Sequence, residues 1–467
     1  TIEGAPTFEQ WQKSELKVRR MRLALWLNSN SIIPERSTVG TDDEPYYPAL
    51  PQIQPGIIVV QSSGRTGAGK TTALGRLVET NKGKGLMAVM MPTNSVGQQA
   101  AEDWGLPHRH DFFDHQNDLF LAAARDAGGF VMCPDSFHRL SPEVKAQINL
   151  VIFDEANDVV GGLCSGSTLK ARQSEIVSGI AELLREVIGR GGSIVLSEVT
   201  VYTRTIEYIQ TIAQTDQIQL FDHTPTGLSP WEIELKTGST SGFFKEAIAA
   251  LEQGKRLIFG VASQAQGEKL GRLIAKHCPN KKVVRLDSKT NDGGVFADFW
   301  RDPNDWLRSK GIPDLLIYSP SGKSGVSITE PGFDEVWGHF TAHHPDQWNQ
   351  MIGRYRLPMP RKLFIQPFIQ AHDGNERLCS IRGVRRRLEH NQNGFAKLHG
   401  IDLATRLREA QEAGEDGRQI LAIESAIINF LAAEKTAIGC QKSIAKDFFT
   451  HLLEARGHSL THLKCPK

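Results

Sequence analysis

The expected fold is decided by the stretch Gly64-Arg65-Thr66-Gly67-Ala68-Gly69-Lys70-Thr71, which follows the apolar run 57–60. It fits the pattern G-x-x-x-x-G-K-[ST] between a strand and a helix, the context that a phosphate-binding loop requires. Glycines let the backbone curl so that its N–H groups and the N-terminus of the helix face phosphate oxygens. Lys70 would place its charge on the β- and γ-phosphates, and Thr71 would offer a hydroxyl to Mg²⁺. We therefore expect the whole loop to bind ATP.

A second polar element ends the apolar run 150–153, where Asp154 and Glu155 precede Ala156 and Asn157. An acidic residue at the end of a strand can hold Mg²⁺, and its neighbour can accept the proton of an attacking water. We assign Asp154 to the metal and Glu155 to the catalytic base. Because Asp-Glu after a strand is also a common surface ending, this assignment depends on the phosphate-binding loop upstream.

Apolar runs alternate with helical stretches along most of the chain. They lie at 57–60, 86–91, 130–133, 150–153 and 193–196, and again at 256–261, 282–286, 315–318, 335–340 and 362–368. Short apolar runs separated by helices predict a parallel sheet covered on both faces. The pattern therefore predicts an α/β protein with two tandem parallel-sheet domains.

We expect four segments. Residues 1–55 form a helical arm, at about 8–27, and a proline-rich linker, and residues 56–225 form the first domain. Residues 226–372 form the second domain. Residues 373–467 have few strand signals and form a helical C-terminal appendage, with helices at about 402–413 and 420–432.

Composition places the chain among ordinary globular proteins. Its 467 residues exceed what one core supports, and it is 40% hydrophobic and 23% charged with a net charge of +1. The six cysteines form no CxxC pair, which disfavours a zinc ribbon or a disulfide framework and fits a reducing cytoplasm. No apolar run approaches the roughly 20 residues that span a bilayer, so we expect no membrane partner. The chain begins at Thr1, as a piece of a longer polypeptide would.

The sequence Asp154-Glu155-Ala156-Asn157 resembles the DEAD/DEAH box of superfamily 2 helicases, and further elements follow in that family's order. Pro92-Thr93-Asn94 is similar to motif Ia, and Cys133-Pro134-Asp135-Ser136 to the TPxx element. Ser197-Glu198-Val199-Thr200 is similar to the S-A-T element, from which it departs at its middle residue. The resemblance implies two tandem RecA-like domains with ATP and Mg²⁺ between them.

The second half contains Gln350-Met351-Ile352-Gly353-Arg354-Tyr355-Arg356, which resembles motif VI of that family, Q-x-x-G-R-x-x-R. The resemblance assigns Gln350 to the catalytic site and implies an arginine finger. One residue is missing, so either arginine could reach the γ-phosphate; Arg356, which ends the motif, is our first choice, and Arg354 the other.

The run 318–328 occupies the position of motif V, where Ser327 replaces the usual aspartate and Gly325 is expected at the nucleotide. With the compressed motif VI, this run narrows the resemblance to the helicase part of cyanobacterial-type plasmid replication proteins. In that family a primase-like domain commonly precedes the motor.

The resemblance also implies small polar residues that grip a nucleic-acid backbone, because such motors use hydroxyls and amides from both domains. The candidates are Thr93, Asn94, Ser136, Ser263, Thr290 and Ser319. Each could instead be only a cap or turn residue. The basic run of Arg382, Arg385, Arg386 and Arg387 could track phosphates or be a solvated helix face.

Two further constellations leave alternatives open. The residues His108, Arg109, His110, Asp111, Asp114 and His115 could be drawn as a metal site, but we expect a solvated loop, since no second ligand group is seen. Tyr46 or Tyr47 could stack on adenine or pack on the domain.

The resemblance implies an ATP-dependent helicase that acts in plasmid or mobile-element replication, with DNA preferred over RNA. One alternative is a replication initiator or remodeller that ATP switches without processive unwinding. Another is a small-molecule phosphate-loop kinase, which would leave the run 350–356 unexplained.

Overall fold

The computed structural model describes residues 8–29, 37–38, 46–48, 50, 53–62, 67–165, 169, 172–223, 230–287, 289–290, 296, 298–299, 302–320, 327–369, 379–399, 408, 411–412 and 417–465. Its strands, in chain order, are β1 (Ser37–Thr38), β2 (Gly56–Gln61), β3 (Leu86–Met90), β4 (Gly129–Met132), β5 (Ile148–Asp154), β6 (Ser193–Glu198), β7 (Ile218–Asp222), β8 (Glu232–Thr237), β9 (Leu257–Val261), β10 (Val283–Leu286), β11 (Leu315–Tyr318), β12 (Glu335–Phe340), β13 (Arg361–Ile365) and β14 (Ser459–Lys464). Its helices are α1 (Phe8–Leu27), α2 (Lys70–Asn81), α3 (Asn94–Trp104), α4 (Asn117–Ala127), α5 (Pro142–Lys145), α6 (Ala156–Ser165), α7 (Gln173–Gly189), α8 (Thr203–Ala213), α9 (Thr240–Glu252), α10 (Gln264–His277), α11 (Pro303–Lys310), α12 (Pro345–Ile352), α13 (Ile381–His399), α14 (Gly417–Ser443) and α15 (Ala445–Ala455).

The chain divides into two compact units, which we name by the motifs they contain. The phosphate-loop unit comprises Arg22–Gly227 and Asp373–Gly439. The motif VI unit comprises Thr1–Met21, Leu228–His372 and Cys440–Lys467. The expected domain boundaries at residues 55, 225 and 372 stay predictions.

The phosphate-loop unit is built on a parallel sheet with the strand order β1-β7-β2-β6-β5-β3-β4. Successive residues of a strand point to opposite faces, and in β2 both faces are apolar. Ile57 and Val59 belong to one buried core, whereas Ile58 and Val60 belong to another. Helices therefore cover this sheet on both sides, as the apolar runs predict.

The motif VI unit repeats this plan with the strand order β10-β11-β9-β12-β13-β8-β14, again entirely parallel. Its central strand β9 sends Ile258 into one core and Phe259 into the other. The edge strand β14 is largely exposed.

Helix α7 shows why the helices pack as they do. Its apolar side chains recur at helical spacing and form one buried stripe, made of Ile176, Val177, Ile180, Leu183, Leu184 and Val187. Burying such a side chain stabilises the fold by about 1.5–3 kcal/mol. From the C-terminal region, α14 adds Ile423, Ile427 and Phe430 to the same core, so part of that region completes the phosphate-loop unit.

The expected fold class is confirmed: the chain forms two α/β units, each built on a parallel sheet, and the region after residue 372 is largely helical. The expected arm coincides with α1, and the helix expected at about 420–432 lies within α14. Most of the helix expected at 402–413 lies outside the described residues. The strand β14 in the C-terminal region was not predicted. Among the described helices, none has the length and apolar character that crossing a membrane would require.

Candidate nucleotide and nucleic-acid site

The phosphate-binding loop leads from the buried strand β2 into α2. Gly67 and Gly69 have φ angles of 82° and 79°, in the left-handed region that favours glycine. Gly69 is the N-cap of α2, so the helix begins at Lys70. Because glycine has no side chain, Gly69 caps none of the first N–H groups of the helix. Such groups can donate to phosphate oxygens. Ala68 is buried and Thr71 is exposed. Outside the described residues lie Gly64, Arg65 and Thr66.

The two tyrosines before the loop differ in burial. Tyr47 is buried; its backbone N–H donates to the carbonyl of Ala68 at 2.6 Å, and its hydroxyl to the carbonyl of Phe221 at 2.6 Å. Tyr46 is 64% exposed, and a Cβ placed on Gly69 would lie 3.5 Å from the Tyr46 Cβ. Of the two candidates for adenine, Tyr46 is therefore the exposed ring beside the loop.

Three adjacent strands bring the loop and the acidic pair together. β6 lies between β2 and β5, and the register pairs Gln61 with Glu198 and Asp154 with Ser197. The carboxyl ends of parallel strands meet at one edge of a sheet, where ligands of α/β proteins bind. Lys70 is close enough for its charge to oppose the rise in pKa of both Asp154 and Glu198.

Asp154 is a buried carboxyl with a raised pKa. Only 6% of it is exposed; burial first, and then the charge of Glu155, raise its pKa to about 6, against the opposing effects of Lys70 and the Ser197 hydroxyl. A bound divalent cation would offset both causes, because it favours the ionised carboxylate. Mg²⁺ usually takes one or two protein ligands and completes its shell with phosphates and water. Asp154 and Thr71 fit that pattern.

Glu155 follows Asp154 in an uncommon conformation. Its φ is 54°, a value that few residues other than glycine adopt. Its backbone N–H donates to Asp154 Oδ1 at 3.2 Å, and α6 begins at the next residue. Strained backbone of this kind concentrates at functional sites, which agrees with a catalytic role.

Glu198 is an acidic residue of this edge that the sequence analysis did not assign. It is buried at the end of β6, and its Oε1 accepts the Val199 N–H at 2.9 Å. Burial raises its pKa well above the ordinary value, and the charges of Glu155 and Asp158 add to the rise. The sequence could have indicated this residue, because a glutamate follows an apolar run and interrupts the element that resembles S-A-T.

Asn157 links the acidic box to the segment after β6. Its Nδ2 donates to the carbonyl of Thr200 at 2.9 Å. Its Oδ1 accepts from the Tyr202 N–H at 3.1 Å and from the Thr205 hydroxyl at 2.8 Å. Three hydrogen bonds from one side chain therefore join two of the elements that the family resemblance identifies.

In the phosphate-loop unit the candidate nucleic-acid residues share one sheet edge. Thr93 and Asn94 lie at the start of α3 after β3, and Ser136 lies in the 3₁₀ turn Pro134–Arg139 after the neighbouring β4. Thr93 Oγ1 and Asn94 Oδ1 are buried and have no hydrogen-bond partner among the described residues. The Ser136 hydroxyl instead approaches Asp135 Oδ1 at 3.4 Å.

In the motif VI unit the corresponding residues have local partners. Ser263 caps α10, where its hydroxyl accepts the Gln266 N–H at 3.3 Å. The Thr290 hydroxyl accepts the Asp287 N–H at 2.9 Å and donates to the Asp287 carbonyl at 3.0 Å. Ser319 is buried after β11. Ser263 and Thr290 therefore act as cap and turn residues here, and a nucleic-acid role for them stays a prediction.

The two arginines of motif VI differ in their surroundings. Arg354 is 9% exposed, and its guanidinium lies 5.3 Å from the centroid of the Tyr318 ring. Burial lowers the pKa of Arg354. Arg356 is less buried, and its Nε donates to the hydroxyl of Ser327 at 3.2 Å. Ser327, which stands where the resemblance to helicases would place an aspartate, thus contacts Arg356 without neutralising its charge.

Of the two other candidates in motifs V and VI, the structure describes only Gln350, which is exposed on α12. Gly325 lies outside the described residues. Asn304 holds the backbone after Ser327, because its Oδ1 accepts the N–H groups of Thr329 at 2.7 Å and Glu330 at 2.9 Å.

The histidine-rich loop is not wholly solvated, contrary to our expectation. His108 is 2% exposed and Arg109 is fully buried. Arg109 tolerates burial because it donates to the carbonyls of Phe112 and Arg139 and to the side chain of Asn117. Within the part of the chain that the structure describes, no group of three or more His, Cys, Asp or Glu could hold a metal.

The basic run lies on α13, where the arginines 382 and 385–387 are exposed. Arg385 forms an ion pair with Glu389 at 2.8 Å. Both interpretations of this run stay open.

Comparison with known proteins gives partial likenesses. No family profile matches the chain. A protein named for a helicase/primase complex in African swine fever virus is 28% identical over 122 residues, which are 26% of this chain and 11% of the viral protein. The chain thus spans about a tenth of the curated relatives it matches.

Two solved structures illustrate the structural likeness. A DEAD box protein from Methanococcus jannaschii is 16% identical with a TM-score of 0.38, and the alignment covers 71% of this chain and 86% of that one. Mss116p bound to ssRNA and AMP-PNP is 12% identical with a TM-score of 0.48, and the alignment covers 92% of each chain.

Proposed function

We propose that this chain is an ATP-dependent nucleic-acid motor of the helicase type, which hydrolyses ATP with Mg²⁺ and acts on DNA during replication of a plasmid or mobile element. The observation that carries the proposal is the convergence of Lys70, Asp154 and Glu155 at the carboxyl edge of β2, β6 and β5.

The phosphate-loop unit would bind the nucleotide. Lys70 and the first N–H groups of α2 would hold the phosphates, since Lys70 is the only positively charged residue in the described part of the loop, 67–71. Thr71 and Asp154 would hold Mg²⁺, which when bound neutralises phosphate charge. Tyr46, exposed beside Gly69, would stack on the base.

Hydrolysis would depend on Glu155 and on an arginine. Glu155, as the carboxylate next to the metal ligand, would accept the proton of the attacking water. The family resemblance supplies the arginine finger from motif VI. Arg356 suits this role better than Arg354, because Arg354 is buried against Tyr318. Gln350 and Gly325 would complete the nucleotide contacts.

The nucleic-acid substrate would lie along the carboxyl edges of both sheets. Thr93 and Asn94 support this proposal, because each has a buried oxygen without a partner among the described residues. Ser136, Ser263, Thr290 and Ser319 would add backbone contacts.

The choice of DNA depends on the resemblance to plasmid replication proteins. The viral relative agrees with it, because its name joins a helicase to a primase. A primase-like domain in the same polypeptide would be the natural partner.

Unwinding of forked DNA and of a matched RNA duplex, each with and without ATP, tests the proposal. ATP-dependent separation of the DNA fork by the parent, absent from Lys70→Ala, would support it. ATP hydrolysis without strand separation would favour the ATP-switched initiator or remodeller, and unwinding of RNA alone would overturn the choice of DNA. Phosphoryl transfer to a small molecule, unaffected by nucleic acid, would point to the kinase alternative.

A further inference from the structure

Arg361 is a buried cation in the motif VI unit whose role no motif explains. It is the first residue of β13 and is fully buried. Among the described residues, no carboxylate lies within ion-pair distance of its guanidinium. Buried arginines without an acidic partner are uncommon, because an unpaired charge is costly to remove from water.

Main-chain carbonyls and an aromatic face take the place of that partner. Arg361 Nη1 donates to the carbonyl of Met359 at 2.8 Å, and Nη2 to the carbonyl of Tyr355 at 2.9 Å. The guanidinium lies 3.7 Å from the centroid of the Trp231 ring, which stacks on His458. Burial lowers the pKa of Arg361 to about 9, so the side chain keeps its charge at neutral pH.

The carbonyl that Arg361 holds belongs to the residue between the two arginines of motif VI. The peptide bond from Tyr355 leads directly into Arg356. The flanking positions are also fixed: the Ile328 N–H donates to the Arg354 carbonyl at 2.8 Å, and the Arg356 N–H donates to the Ile328 carbonyl at 3.0 Å. Three hydrogen bonds thus hold the two consecutive peptide groups that join Arg354, Tyr355 and Arg356, where the family motif has one more residue.

The positive charges of Arg361 and Arg356 also affect each other. The charge of Arg356 lies near enough to lower the pKa of Arg361. Like charges repel, so the buried guanidinium disfavours any turn of the Arg356 side chain into the interior of the unit. The hydrogen bond from Arg356 Nε to Ser327 is an arrangement that meets this requirement.

We propose that Arg361 is a positioning residue, which clamps the Tyr355 carbonyl and thereby presents Arg356 to the nucleotide in place of the residue that this motif VI lacks. The inference rests on the proposed function, since it takes Arg356 to act in ATP hydrolysis.

The test compares Arg361→Met, which removes the donors, with Arg361→Lys, which keeps the charge but cannot bridge both carbonyls. ATP affinity and kcat are measured separately. Displacement of a catalytic group by about 1 Å can cost about a hundredfold in rate. We expect Arg361→Met to lower kcat by about this factor with little change in ATP affinity, and Arg361→Lys to recover part of it.

Lys362→Gln is the matched control. Lys362 is the next residue of β13 and pairs with Glu335 at 3.2 Å, so its loss weakens the same strand without touching motif VI. It should lower thermal stability but leave kcat unchanged. Hydrogen exchange of the Arg356 amide gives a readout besides activity: it should accelerate in Arg361→Met and stay slow in Lys362→Gln.

The outcomes distinguish failure of the positioning role from failure of the proposed function. If the parent hydrolyses ATP and a folded Arg361→Met or Arg361→Lys matches it in kcat and in Arg356 exchange, the positioning role is overturned while the proposed function stands. Equal loss of kcat in Lys362→Gln would also overturn it, because general weakening of β13 would then suffice. If the parent hydrolyses no ATP, the proposed function and this inference fail together.

Discussion

Replacing Asp154 by asparagine should stabilise the folded protein while abolishing its activity. Asp154 is buried, and burial together with the charge of Glu155 raises its pKa from 3.8 to about 6. Since a tenfold change in proton affinity is worth about 1.4 kcal/mol, the ionised carboxylate costs the folded state about 3 kcal/mol. Asparagine has nearly the same shape and carries no charge, so the variant avoids that cost.

The pH dependence follows from the sign of this change in pKa. An acid whose pKa is raised by folding carries no penalty below its unfolded value, near pH 4. The penalty grows as the pH rises and is complete above about pH 6. The advantage of Asp154→Asn should therefore be about 3 kcal/mol at pH 8 and about half of this at pH 5.

Hydrogen exchange of the β5 and β6 amides provides the assay, because it reports the opening free energy of their own unit. Parent and variant are compared at each pH in EDTA without nucleotide, so that intrinsic exchange rates cancel. If the stability advantage of Asp154→Asn over the parent were the same at pH 5 and pH 8, the reasoning would be refuted. The advantage would then not come from removing the charge of the Asp154 carboxylate. The same variant should lose Mg²⁺-dependent ATPase activity, as expected where a functional group is retained at a cost in stability.

Four further sets of substitutions test the remaining assignments. Glu155→Gln should still bind ATP but hydrolyse it slowly and linger on DNA in ATP; loss of ATP binding would make Glu155 structural or metal-coordinating. Arg356→Ala should spare ATP binding and lower turnover by about a thousandfold, whereas Arg354→Ala should chiefly lower thermal stability, and normal turnover in both would remove motif VI from the active site. Charge reversal of residues 385–387 should weaken DNA binding and make its salt dependence shallower, and equal salt slopes would return the run to a solvated face. Tyr46→Ala should weaken ATP binding roughly tenfold or less, and unchanged affinity would exclude stacking on the base.

Central strands were predictable because they are buried on both faces. The runs at 57–60, 150–153 and 315–318 became β2, β5 and β11, since a strand covered on both sides needs apolar residues at every position. No such run marked β1, β7, β8 or β14, which lie at or next to a sheet edge. In β8 the buried Ile233 and Leu235 alternate with glutamates, and β14 is mostly exposed.

The geometry of the candidate site was predictable where a motif has strict spacing, whereas the roles of its residues stay predictions. The phosphate loop and the acidic pair have strict spacing, and the structure places Lys70 and Asp154 near each other. Glu198 and Arg361 were not assigned, because their surroundings include residues far along the chain. Arg361 in particular meets Trp231, which no local pattern connects to it.

Steady-state ATP hydrolysis by the parent and by Lys70→Ala, with single-stranded DNA, duplex DNA, RNA or no nucleic acid, tests the central claim most directly. The account predicts hydrolysis that DNA stimulates more than RNA and that Lys70→Ala nearly abolishes, because Lys70 is the only positively charged residue in the described part of the loop, 67–71. Equal hydrolysis by the folded variant, or hydrolysis that no nucleic acid stimulates, would contradict it.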